Sequence, residues 1–107
     1  MKNIKMEAAL NKQVNAELWS GYLYLSMSYD MDNKGFEGFA SWFAKQAKEE
    51  FEHATRFMKF IGEMDGKVAL MPIADVRQEW NSPKDVQNKF IFAHPRRSLI
   101  SLFEAKV

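Results

Sequence analysis

Apolar and small residues recur every three or four positions along the first third of the chain, which is typical of one face of a helix. Segment 3–34 has no proline and a single glycine, Gly21, so little in it would interrupt a helix. The face consists of Leu10, Val14, Leu18, Gly21, Leu25, Ser28 and Met31. This pattern predicts a first helix over 3–34.

A second helical face follows the turn signal Asp-Asn-Lys-Gly-Phe at 32–36, in which Gly35 is expected to end the first helix. The second face consists of Phe36, Phe39, Ala40, Phe43, Ala47, Ala54, Phe57 and Ile61. Gly62 or Gly66 closes it, which predicts a second helix over 36–65. Because short connections join antiparallel neighbours, the two segments predict a helical hairpin.

Segment 66–82 contains Pro72 and shows no helical period, so it is predicted to be a crossover connection. Extended, it reaches roughly 55 Å, and the second helix is about 40 Å long. It can therefore run along the whole hairpin. Ser82, Pro83 and the acid that follows form a helix-start signal, and Pro95 then interrupts the pattern. Segment 83–107 is predicted to be a partial third helix with a divergent tail.

The composition fits one globular domain, 1–107, of the all-α class, with 47% hydrophobic residues. The absence of cysteine excludes disulfides, cysteine zinc sites and cysteine-ligated iron–sulfur clusters, and it suits a cytoplasmic protein. The first residues lack the apolar core of a signal peptide, and no apolar run could span a membrane. We expect a cytoplasmic location and no membrane partner.

Charge does not indicate a nucleic-acid partner, because the net charge is only +1. His94 lies beside Arg96 and Arg97, and two arginines do not make a nucleic-acid site. We therefore expect none. A lone hairpin would expose a long apolar face, which predicts a homo-oligomer.

Three residues carry the candidate chemistry: Glu17, Glu50 and His53. Glu17 falls on the first apolar face, Glu50 falls on the second, and His53 follows Glu50 by three residues on the same side of the helix. Glu17 and His53 are equally far from Gly35 along the chain, so both lie about 27 Å from the turn of an antiparallel hairpin. We expect the three side chains to meet at one depth.

Two interpretations of this trio are open. Buried carboxylates can be compensated by a metal cation, and oxygen with imidazole nitrogen suits iron, manganese or zinc. The trio could instead be a polar core cluster whose hydrogen bonds are satisfied internally. Tyr24, two turns from Glu17, is either a core tyrosine or a residue that serves a metal site. Glu49 and Glu52 lie about 100° off the face and are typical of solvated acids.

The stretch LNKQVNAELWSGYLYLSMSYDMDNKGFEGFASWFAKQAKEEFEHATRF, followed by GEMDGKV, EW and SPKDV, resembles the bacterial and archaeal branch of the ferritin family. The resemblance covers about 5–86. It implies a ferritin-like four-helix bundle with a long crossover, assembled as a cage of 24 subunits. It also implies oxidation of Fe(II) to Fe(III) at a di-iron ferroxidase centre, with dioxygen or peroxide as oxidant, and iron storage.

By position, the resemblance implies that Glu17, Glu50 and His53 form the first iron site, with Glu50 bridging. It implies a catalytic role for Tyr24 beside that centre, and a role for Glu49 in binding a further iron. Haem is not expected, because Glu52 stands where haem-binding relatives have methionine. Relatives with a mononuclear cysteine-ligated iron are excluded by the missing cysteines.

The resemblance fails beyond residue 86. The family continues its third helix with a His-Glu pair that completes the second iron site, whereas His94 here is followed by Pro95. The resemblance also implies a fourth helix with further ligands, and no segment matching it is expected within residues 87–107. A two-fold dimer of hairpins would supply two Glu17 and two Glu50/His53 pairs, the ligand set of di-iron bundles. The alternative is a non-enzymatic helical assembly module with a vestigial or structural Glu/His cluster; a DNA-protecting mini-ferritin relative fits the ligand spacing less well.

Overall fold

The computed structural model describes residues 1–85, which fold into two long antiparallel α-helices joined by a short turn. Helix α1 spans Ile4–Asn33 and helix α2 spans Glu37–Glu63. The predicted ranges 3–34 and 36–65 are each too long by one or two residues at either end. No strand occurs in 1–85. The predicted all-α hairpin is confirmed.

The helix ends follow from local chemistry. Asn3 caps the start of α1, because its side-chain oxygen accepts a hydrogen bond from the Met6 amide at 3.0 Å. Gly35 makes the turn with φ +87°, a backbone conformation that residues other than glycine rarely adopt. At the other end, α2 passes through Gly62, and the Gly66 amide then donates to the Ile61 carbonyl at 2.8 Å.

Two apolar clusters fill the space between the helices. The cluster near the turn consists of Leu23, Tyr24, Met27, Met31, Ala40, Phe43, Ala47 and Trp80. The cluster near the open end consists of Leu10, Val14, Phe57 and Ile61. Glu17 lies between them along α1, and Glu50 and His53 lie between them along α2. The candidate site therefore interrupts the apolar core.

The predicted apolar face of α2 is wrong at its beginning. Phe36 is 40% exposed and Phe39 is 36% exposed. Phe36 precedes the first helical residue, so the helical period does not apply to it. Phe39 adjoins Ala40, and adjacent residues point about 100° apart; the buried face passes through Ala40 and Phe43.

The crossover 66–82 contains no helix or strand and runs along α1 from the open end toward the turn. Near its start, the Asn11 side chain donates to the Lys67 carbonyl at 3.0 Å. Further along, the Ser26 hydroxyl donates to the Arg77 carbonyl at 2.6 Å. Because both partners advance together along the chain, the crossover lies parallel to α1, as its length allows.

The crossover ends at a helix start. The Ser82 hydroxyl accepts a hydrogen bond from the Asp85 amide at 3.2 Å, and residues 83–85 are helical. The rest of the predicted third helix and tail, including His94 and Pro95, lies outside the described residues. Among the residues described, no helix combines the length and the apolar character that crossing a bilayer requires.

Candidate metal centre

The hairpin brings Glu17, Glu50 and His53 together, as predicted. Glu17 comes from the middle of α1, and the other two come from one face of α2. Each of the three offers one ligand atom, and these atoms lie within 4.8 Å of one another. Glu17 is 2% exposed and Glu50 is 3% exposed, so both carboxylates are held away from water.

The imidazole of His53 faces both carboxylates. Its Nδ1 atom lies 3.6 Å from Glu17 Oε2 and 3.6 Å from Glu50 Oε2. Both separations exceed the length of an ordinary hydrogen bond. Because one ligand atom of each residue lies within 4.8 Å of the other two, a single ion could be held at a common point between them. With a neutral imidazole the group carries two negative charges, which a divalent cation would balance.

The two oxygens of Glu17 have different environments. Oε1 accepts a hydrogen bond from the Gln13 amide nitrogen at 2.8 Å. Oε2 is buried and accepts no hydrogen bond from any part of the chain that the structure describes. A buried carboxylate oxygen left in this state costs free energy, and a cation at the common point would remove the cost.

These donors fit iron. Two carboxylate oxygens and one imidazole nitrogen suit divalent iron, manganese or zinc, whereas calcium prefers a larger set of oxygens. One donor from each of the three residues would leave coordination positions open to a second reactant. The arrangement can hold a redox-active ion in a largely apolar interior and still admit an oxidant.

Tyr24 is fully buried in the cluster near the turn. Its ring lies 6.3 Å, centroid to centroid, from the ring of Phe43. Burial fits both interpretations of this residue, a core tyrosine and a redox partner of the site. A catalytic role for Tyr24 remains a prediction.

Glu49 is half-buried and does not belong to the group of three ligands. Its role in binding a further iron remains a prediction. Glu52 is exposed and lines a groove with Leu25, Phe51 and Arg56. A carboxylate there offers no thioether for haem iron, so haem remains unexpected at this position.

Sequence reasoning missed Gln13. A signal was present, because Gln13 precedes Glu17 by four residues and such pairs meet on a helix surface. Asparagine and glutamine are so common at helix positions predicted to be exposed that the spacing alone does not identify Gln13 as a partner of Glu17.

The chain matches a known protein family and named relatives. Residues 7–94 match the family described as Ferritin-like domain. The chain is 39% identical over 92 residues to proteins named bacterial non-heme ferritin from two strains of Bacteroides fragilis, 638R and YCH46. The match covers 86% of this chain and 57% of each relative, so the chain spans little more than half of their length.

Solved structures show the same fold. An open pore ferritin from the archaeon Archaeoglobus fulgidus superimposes with a TM-score of 0.87 at 35% identity, covering 94% of this chain and 62% of that one. A structure titled humanized archaeal ferritin gives a TM-score of 0.86 at 36% identity, with 92% and 60% covered. The family match, the identity to non-heme ferritins and the superposition agree with the residues that carry the resemblance, and the chain belongs to the ferritin family.

Proposed function

We propose that this chain binds Fe(II) at Glu17, Glu50 and His53 and oxidises it to Fe(III) as part of iron storage. The observation that carries the proposal is the buried group itself. Two helices bring two carboxylates and one imidazole within 4.8 Å, and Glu17 Oε2 accepts no hydrogen bond within 1–85. Membership of the ferritin family supports iron as the ion.

In this proposal iron is the substrate, and the protein supplies binding, orientation and charge. Glu17 and Glu50 balance the two charges of Fe(II), and His53 Nδ1 completes three donors around it. Anionic donors stabilise Fe(III) more than Fe(II), so the site favours loss of one electron to dioxygen or peroxide. The apolar clusters on either side limit the water that reaches the ion.

A di-iron centre needs a second set of donors. We propose that Glu50 bridges two irons, that Tyr24 serves the centre as a hydrogen-bond or electron partner, and that Glu49 assists a further iron. The remaining ligands are supplied by oligomerisation. A two-fold pair of hairpins would provide two copies of Glu17 and of the Glu50/His53 pair, and a cage of 24 subunits is the family-like alternative.

Anaerobic Fe(II) titration followed by admission of oxygen tests the proposal. Parent protein should bind Fe(II) and develop Fe(III) absorbance faster than buffer. The variants Glu50→Ala and His53→Ala each remove a ligand. Their initial oxidation rate should fall by more than the roughly 10-fold that loss of an outer partner of a metal ligand causes.

Glu63→Ala is the matched control, because Glu63 is an exposed acid at the end of the same helix. It should oxidise iron at the parent rate. If Glu50→Ala and His53→Ala also match the parent, the assignment is wrong. A purified protein that takes up no metal and has the native mass of a small oligomer would favour the non-enzymatic helical assembly module.

A further inference from the structure

We propose that Gln13 is a positioning residue that makes Glu17 bind its metal through one oxygen only. This inference rests on the proposed function, because it concerns the same site. Gln13 lies one turn before Glu17 on α1, and its amide nitrogen donates to Glu17 Oε1 at 2.8 Å. An ionised carboxylate can only accept, so the amide nitrogen must be the atom that faces it.

The hydrogen bond gives the two oxygens of the Glu17 carboxylate different roles. Oε1 is held by the amide on the side of Gln13. Oε2 points toward the common point and lies 3.6 Å from His53 Nδ1. Gln13 and Glu17 belong to one helix, so the helix fixes the different roles of Oε1 and Oε2 before a metal binds.

The consequence is a coordination position kept open. A carboxylate whose two oxygens both bind uses two positions on the ion, whereas one oxygen uses one. With Glu17 limited to Oε2, each of the three ligand residues can supply a single atom. The position left over is available to an oxidant or to a carboxylate that bridges to a second ion.

Without the amide, Glu17 would be free to rotate about its terminal bond. Both oxygens could then turn toward the ion, and the open position would be lost. The metal would then also have to fix the orientation of the Glu17 carboxylate, and the free-energy cost of doing so would weaken metal binding. Gln13 is half-buried, so water can replace the amide in part and the helix itself should remain folded.

Cobalt(II) is the probe, because oxygen oxidises it only slowly. Its visible absorption weakens as its coordination number rises. Gln13→Met removes the donor and keeps the length of the side chain. Its affinity for Co(II) should fall roughly 10-fold, the usual loss for an outer partner of a ligand. Its absorption per bound ion should drop below that of the parent. Far-UV circular dichroism should match the parent.

Two further variants separate the donated hydrogen bond from other effects. Gln13→Lys keeps an N–H donor at the same position and should retain the parent absorption per bound ion, even if its charge lowers affinity. Gln78→Met makes the same replacement on the exposed crossover and should change neither quantity.

The outcomes distinguish this inference from the function on which it rests. If the parent binds no Co(II), the proposed metal site fails. If the parent binds and Gln13→Met shows the parent affinity and spectrum, the metal site stands and the role of Gln13 is refuted. If Gln13→Lys loses the absorption as Gln13→Met does, the donated hydrogen bond is not the cause and the inference is overturned.

Discussion

Helix α1 buries two carboxylates, Asp30 near the turn and Glu17 near its middle, and the chain supplies hydrogen-bond donors to both oxygens of Asp30 but to only one oxygen of Glu17. Asp30 is 7% exposed, and its Oδ1 and Oδ2 each lie 2.8 Å from Lys34 Nζ. The Trp80 amide also donates to Oδ2 at 3.0 Å. Glu17 is 2% exposed and has a hydrogen bond on one oxygen, from Gln13.

The difference is the one expected between a structural acid and an acid that binds a metal. Removing a carboxylate from water costs free energy that nearby donors must offset. The chain supplies those donors to Asp30, and in doing so it fastens the end of the crossover to α1. Glu17 Oε2 accepts no hydrogen bond from the described residues, and in the proposed function a bound metal would supply the compensation.

Removing Asp30 should have the largest effect on stability. Asp30→Ala removes the acceptor of the Trp80 amide and one of the two acceptors of the Lys34 ammonium, which keeps its hydrogen bond to the Trp80 carbonyl. The crossover therefore loses one of its contacts with α1. The expected loss is about 3 kcal/mol, the low end for a broken buried pair, because Lys34 keeps partial contact with water. Urea unfolding of parent and variant measures it.

Metal binding by Asp30→Ala should equal that of the parent under conditions where the variant is folded. Ser26→Ala is a suitable second variant, because it removes one crossover contact without touching a buried charge. A loss of metal affinity in Asp30→Ala as large as in His53→Ala would erase the distinction between the two acids.

Metal should stabilise the protein through Glu17 and not through Asp30. At a free Zn²⁺ concentration 100 times the dissociation constant, the free energy of unfolding should rise by about 2.7 kcal/mol. Chelation should reverse the rise. Denaturant unfolding with and without Zn²⁺ measures it, and His53→Ala should show little of the increase. Equal stabilisation of parent and His53→Ala would place the ion elsewhere.

In the absence of metal, neutralising Glu17 should stabilise the protein. Glu17→Gln removes a buried charge next to Glu50 and offers amide hydrogens to the site, so a gain of about 1 kcal/mol is expected. Glu63→Gln, on the exposed end of α2, should stay within about 0.5 kcal/mol of the parent. Metal-free destabilisation by Glu17→Gln would mean that this carboxylate, like Asp30, is structurally compensated.

Much of this comparison could be predicted from the sequence, because regular geometry decides it. A period of 3.6 residues places Glu17 and Glu50 on the inner faces, and equal distances from Gly35 place Glu17 and His53 at one height. The hairpin and the site follow from those two facts. The predicted α2 face wrongly includes Phe36, which precedes the helix, because periodicity does not say where a helix starts.

The role of Asp30 could not be predicted. Its partner Trp80 lies 50 residues away, at the end of a crossover with no period, and no local rule brings the two together. Lys34 was visible at a spacing of four, but such pairs are usually solvated and weak. Whether a buried acid is structural or functional therefore depends on contacts between distant segments, which the sequence pattern does not contain.

The smallest loss of stability should come from replacing Lys34, the exposed partner of Asp30. Lys34 keeps about a third of its side chain in water, so the ion pair is partly screened. Lys34→Met should cost about 0.5–1 kcal/mol, less than Asp30→Ala, because the Trp80 amide still donates to the carboxylate. Added salt should narrow the gap between parent and Lys34→Met. A loss equal to that of Asp30→Ala would show that the ammonium, and not the crossover amide, provides most of the compensation for this carboxylate.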